Sequence, residues 1–161
     1  MDKINLKLLK LVQKDNRLTA EQLGEIIGLS PSACQKRLTR MRSEGIIEAD
    51  VSVISPKALG LTLTMIVNVT LEREQPQIID QFKQSMRESD EVMQCFCVTG
   101  NTDFVVIVNA LDMEHFDKFA QTFLYGNPHI RHFETSIVID RVKTGFNINI
   151  DIDIDIDIED N

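Results

Sequence analysis

Between Ser30 and Ser43 the chain carries four basic residues, Lys36, Arg37, Arg40 and Arg42, and no acidic one. Cations at that density suit a polyanion better than a reaction centre, because a phosphate backbone is met by several positive charges along one face. At 100° per residue, a helix over about 31–44 puts Ser32, Lys36, Thr39, Arg40 and Ser43 on one arc, with Gln35 on its flank. Cys34, Leu38 and Met41 fall on the opposite arc and form its packing side. Small polar groups near the helix N-terminus let the backbone approach base edges, while Arg and Lys read guanine or neutralise phosphate. The expected contacts to double-stranded DNA are Ser32, Gln35, Lys36, Thr39 and Arg40 toward the major groove, with Arg37 and Arg42 on phosphates.

Such a helix needs others to hold it. Ile4, Leu8, Leu11 and Val12 recur at helical spacing, which predicts an amphipathic helix over 2–14 with Lys3, Lys7, Lys10 and Lys14 on another face. That lysine stripe is a solvated face or a further set of phosphate contacts. Asp15-Asn16 ends the helix. Thr19 and Gln22 make a capping-box pair that opens a second helix, expected to bury Leu23, Ile26 and Ile27 and to stop at Gly28. Ser30 then serves as an N-cap with Pro31 at the first helical position. Two short helices across a glycine-containing turn spell a helix-turn-helix.

The net charge of −8 hides an asymmetry. Residues 1–60 hold 10 Lys/Arg and 7 Asp/Glu, whereas residues 61–161 hold 7 and 18, and six of those acids lie in the last eleven positions. The basic part is the one suited to phosphate. No apolar run approaches the ~18 residues that span a bilayer, and the N-terminus lacks the pattern of a signal peptide, so a cytoplasmic location with no membrane partner is expected. Three cysteines without a C-x-x-C pair fit reduced thiols. No P-loop, dinucleotide fingerprint or Ser/His/Asp signature is present, so no enzyme activity, catalytic residue or cofactor is expected. Cys95 and Cys97 share a strand face and His129 and His132 have chelating spacing, but a metal site wants clustered ligands and none is expected.

Val51–Ile54 reads as a short strand closing the first domain (1–54), and SPKALG (55–60) as a linker. Over 61–146 the order is a strand at 61–72, a helix at 76–89, strands at 91–98 and 104–110 joined by the turn Thr99-Gly100-Asn101-Thr102, a helix at 113–125 and a strand at 133–142. This β-α-β-β-α-β order is ferredoxin-like. The expected fold class is thus α+β, a (winged) helix-turn-helix domain followed by a ferredoxin-like domain. One sheet face is covered by helices and the other, if apolar, invites dimerisation.

Several of these stretches resemble a known family. RLTAEQLGEIIGLSPSACQKRLTRMRSEGIIE, then VTGNTDFVV, the DM of ALDMEHFDKF, and NPHIRHFETSIVIDRVK look like the Lrp/AsnC "feast/famine" regulators, over roughly residues 2–145. The family commonly has proline where this chain has Ala33. The resemblance implies a DNA-binding transcriptional regulator, homodimers formed through the C-terminal domain, four dimers assembling into an octamer, and an amino-acid effector bound between dimers near a Gly-x-x-Asp turn. Carried over by position, that implicates Gly100, Asn101, Thr102 and Asp103, with Met113, Thr135 and Ser136 as weaker candidates. Asn101 and Thr102 replace the family's more usual acidic-plus-aromatic pair. A glycine there admits close backbone approach, free N–H groups take a carboxylate, and Asp103 pairs with an ammonium; the same residue types also make ordinary hairpin turns. The alternative within this fold is an architectural DNA-binding protein with no effector response. A small enzyme or metabolite-binding module of the ferredoxin-like class, with the N-terminal helices serving only as a docking arm, is a further rival.

The tail, 147–161, alternates Ile with Asn or Asp over 147–158. That period of two fits a strand extending the sheet, or a disordered acidic segment whose carboxylates compete with DNA for the basic helix. The resemblance does not cover it.

Overall fold

The computed structural model describes residues 1–73 and 75–150, in two units: Met1–Ser52 together with the segment that begins at Lys143, and Val53–Val142. The expectations for 151–161 lie outside the described residues. No described helix is long and apolar enough to cross a membrane.

The first unit holds α1 (Lys3–Val12), α2 (Ala20–Ile27) and α3 (Pro31–Ser43). Each start is fixed by a side chain that takes an otherwise unpaired N–H. Asp2 Oδ1 accepts from Asn5 N at 2.7 Å, Thr19 and Gln22 cap each other reciprocally, and Ser30 Oγ accepts from Ala33 N at 3.3 Å. Gly28 closes α2 in the left-handed region, at φ 81°. Leu8, Leu23, Cys34, Leu38 and Met41 form the buried centre, with Ile4, Leu11, Val12, Leu18, Ile27 and Ile47 around it. Ile26 is a correction: expected inside, it is 59 % exposed. The inward face of α2 is defined by Leu23, Gly24 and Ile27, because Gly24 packs against the turn after the helix, and Ile26 lies about 100° off that arc. Near the chain's end, residues 143–150 form no regular element, and the Gln13 side-chain amide exchanges two hydrogen bonds with the Ile148 backbone (3.1 and 3.2 Å).

The second unit begins with a correction too. Residues 51–54 form no strand, and Val53 is 80 % exposed. A strand needs a ladder partner, and no described segment supplies one here. After a 3-10 turn (Pro56–Leu59) come β1 (Leu63–Leu71), α4 (Pro76–Glu88), β2 (Val92–Cys97), β3 (Phe104–Ala110), α5 (Met113–Ala120, continued by a π turn over Gln121–Tyr125) and β4 (Ile130–Ile137). All pairings are antiparallel in the order β2-β3-β1-β4, the ferredoxin-like arrangement. Met65, Val67, Val69 and Leu71 of β1 and Phe104, Val106 and Val108 of β3 point to one side, where Phe82, Met86, Phe116, Phe119 and Leu124 cover them. The other face is mixed: Ile66, Val105, Ile107 and Phe96 form an apolar patch among Thr64, Asn68, Asn109, Glu134 and Ser136, and Phe96 is half exposed.

β4 starts three residues earlier and ends five earlier than expected. Its last pairing is Met65 with Ile137, close to where β1 begins, so 139–142 find no ladder partner among the described residues and Ile139 and Val142 stay exposed. At its start Thr70 faces His132 while Leu71 faces Ile130, which leaves Arg131 as the extra residue of a β-bulge.

Candidate nucleic-acid interface and candidate effector pocket

On α3 the packing side is buried through Cys34, Leu38 and Met41, while Ser32, Gln35, Lys36, Thr39, Arg40 and Ser43 are exposed. The basic residues divide into two kinds. Arg37 Nη1 donates to Asp2 Oδ2 (2.5 Å) and Asn5 Oδ1 (2.9 Å), which ties α3 to the start of α1. Arg42 donates twice to Asp50 (2.7 and 3.3 Å). Both guanidiniums are held by their own domain and act first as braces. Among the described residues Lys36 has no ion pair, and Arg40, with its side chain 76 % exposed, has only the i,i+4 partner Glu44 (2.5 Å). An exposed pair of this kind is worth little in water and gives way readily to a phosphate or a guanine edge.

The carboxylates follow these contacts. Asp2 is held below its usual range by the Asn5 backbone N–H and then by Arg37. Arg42 does the same to Asp50, and Glu44 raises Arg40.

The Gly100 turn is pinned by two backbone bonds, Val98 N–H to Asp103 O (2.9 Å) and Asp103 N–H to Val69 O (2.9 Å), and by Leu71 N–H donating to the side-chain Oδ2 of Asp103 (2.6 Å). Thr102 Oγ1 donates inward to Val69 O at 2.7 Å. So Thr102 and one oxygen of Asp103 build the turn. Gly100 stands at φ 125°, and the N–H groups of Gly100, Asn101 and Thr102 meet no acceptor among the described residues.

Against this turn lies a cavity of about 430 Å³ lined by Thr70, Leu71, Glu72, Arg73, Gly100, Asn101, Asp103 and Arg131. That size is within the ~300–1,000 Å³ of small-molecule sites. Of the residues expected here, Gly100, Asn101 and Asp103 come together. Met113 lies at the start of α5, and Thr135 and Ser136 lie on opposite faces of β4 beside Val67 and Ile66; none of the three lines the cavity. Glu72, Arg73 and Arg131 were not read from the sequence. Arg131 reaches the cavity from the bulge, and a bulge leaves no mark in an alternating pattern read one strand at a time.

Comparison with known proteins agrees with this architecture. A model of the Lrp/AsnC ligand binding domain matches residues 64–148, and one of winged helix-turn-helix DNA-binding domains matches residues 1–48. An uncharacterized HTH-type transcriptional regulator of Sinorhizobium fredii is 53 % identical over 148 residues, covering 92 % of this chain and 88 % of its own. The leucine-responsive regulatory protein of Klebsiella pneumoniae is 29 % identical over 143 residues, covering 89 % and 87 %. Among solved structures, a transcriptional regulator of Neisseria meningitidis in complex with L-Met superposes with a TM-score of 0.87 at 29 % identity, covering 94 % of this chain and 97 % of that one.

Proposed function

The chain belongs to the Lrp/AsnC family of transcriptional regulators, proteins with a helix-turn-helix domain and a ligand-binding domain rather than enzymes, and we propose that it binds specific DNA under the control of an amino-acid effector. Ser32, Gln35, Lys36, Thr39 and Arg40 face the major groove. Arg37 and Arg42 set the pose of α3 and lend their charge to nearby phosphates. The observation that carries this reading is the exposed face of α3, where among the described residues Lys36 and Arg40 are not held by other elements while Arg37 and Arg42 are.

The apolar patch of Ile66, Val105, Ile107 and Phe96 on the outer face of the sheet supports pairing of two copies, and such pairs assemble further into an octamer. A dimer would present two copies of α3, with half-sites about one turn of DNA apart, ~34–36 Å, or a multiple. The protein works in the cytoplasm, where its DNA and free amino acids are both at hand. The effector occupies the cavity at the Gly100 turn and changes DNA affinity by a coupling of ~1–3 kcal/mol.

The test is a gel shift on the DNA upstream of the protein's own gene. Lys36→Ala and Arg40→Ala should each weaken binding about tenfold or more while leaving the melting temperature near that of the parent. If both variants bind like the parent, the groove-facing assignment fails.

A further inference from the structure

Resting on the reading of α3 as the DNA-facing helix, we infer that the acidic stretch 151–161 docks on the cations of the helix-turn-helix unit of its own chain and competes there with DNA phosphate.

The anchor is the first observation. Gln13, which ends α1, holds the main chain of Ile148 from both sides: its Nε2 donates to Ile148 O (3.1 Å) and its Oε1 accepts from Ile148 N (3.2 Å). The chain is thus fastened to this unit three residues before Asp151.

Charge is the second. Six of the eleven residues from 151 onward are acidic, and no basic residue follows Lys143. On the unit that holds the anchor, Lys3, Lys7 and Lys14 are exposed and, at spacings of four and seven, share one face of α1 and its first turn beyond. Lys36 is exposed on α3. Among the described residues none of these four lysines has an ion pair. The unit's own acids do not supply the missing charge. Asp2, Asp15, Glu44 and Asp50 are each committed to an arginine. Glu21 and Glu25 stand on α2, and Glu48 lies beyond the end of α3.

Reach is the third. From Gln13 back to Asn5 is eight residues of helix, about 12 Å. Asn5 is where Arg37, the neighbour of Lys36, meets α1. Covalent geometry lets eleven residues span up to about 36 Å, so the carboxylates have the length to follow the lysine face of α1 and arrive at α3. Each exposed pair is worth little by itself. Several of them on one tether, at an effective concentration on the order of millimolar, act as a built-in rival to a phosphate backbone. A contact of this kind lowers affinity for any DNA and yields to a fragment that also offers base contacts to α3.

The experiment is a gel shift that compares the full chain with a chain ending at Ile150, on the DNA upstream of the protein's own gene, with melting curves as the check on folding. The shortened chain should bind about fivefold more tightly or better at ~50 mM salt, and the gap should narrow as salt screens the tail contact. The full-length variant Asp151→Asn, Asp153→Asn, Asp155→Asn, Asp157→Asn should match the shortened chain, which assigns the effect to charge. Gln13→Ala should recover part of the gain, and binding like the parent removes the anchor from the account. Carbodiimide coupling in a mixture of isotope-labelled and unlabelled full-length protein should join tail carboxylates to Lys3, Lys7, Lys14 or Lys36 of the same copy, and added DNA should suppress coupling to Lys36. Tighter binding by the shortened chain without any such coupling means long-range repulsion and overturns the contact. Coupling only between copies overturns its placement within one chain. Equal binding by the full and shortened chains overturns the inference and leaves the DNA reading standing. If neither binds DNA, that reading itself falls, and this inference with it.

Discussion

The carboxylate of Asp2 caps α1 through the Asn5 N–H and receives Arg37 from α3, so one exposed side chain joins the beginning of the first helix to the middle of the third. Both contacts hold its folded pKa below the ordinary carboxylate value. A depressed folded value gives stability that is complete above the unfolded pKa and is lost as pH falls through the folded one. Asp2→Ala should therefore lower stability at pH 7 by about 1 kcal/mol, the usual loss for a helix cap. Asp2→Asn should lose less, since asparagine caps as well and only the exposed ion pair disappears. Urea midpoints taken from pH 7 down to pH 2 check the sign: the gap between parent and Asp2→Ala should narrow on acidification, and a gap that widens would contradict it. The caps at Thr19 and Ser30 were legible in the sequence because they act over three residues. The Arg37–Asp2 pair was not, because it links positions 35 apart and only packing brings them together.

At the scale of elements, the helix-turn-helix depends on a glycine that looks unremarkable in its helix. A Cβ built on Gly24 would stand 2.6 Å from the Leu29 carbonyl oxygen, in the turn that leads to α3. Alanine is intrinsically better than glycine inside a helix by about 1 kcal/mol. Here the clash wins, since overpacking against backbone costs about 1–3 kcal/mol and moves the turn. Gly24→Ala should lower the melting temperature of the protein and weaken DNA binding together; a variant that melts higher than the parent would show that the turn has slack. Elements with strong periodicity, α1 to α5 and β1 to β3, lie within a few residues of where the pattern predicts them. The errors fall where pairing decides. Residues 51–54 have the composition of a strand without a ladder partner, and β4 is bounded by the length of β1 rather than by its own sequence. Glu72, Arg73 and Arg131 were missed for the same reason, because the cavity they line exists only once β1, β4 and the turn are in register.

Taken whole, the molecule averages two unlike parts. A chain of net charge −8 is a poor prospect for DNA until its cations are located, and Lys36 and Arg40 sit in the unit whose core is built from α1, α2 and α3. The small-molecule cavity lies in the other unit and draws on strand ends, a turn and a bulge. None of its lining residues except Leu71 belongs to the buried core. The irregularity at Arg131 therefore has a genetic reading. Loss of that single codon would let Ile130 and His132 follow one another opposite Leu71 and Thr70, restoring an unbroken ladder and removing one of the two cavity arginines. The resulting protein should melt close to the parent and shift the same DNA fragment, yet its DNA binding should no longer change when the amino acid that the parent responds to is added. A responsive switch would become a constitutive DNA binder in one in-frame step, with the fold intact.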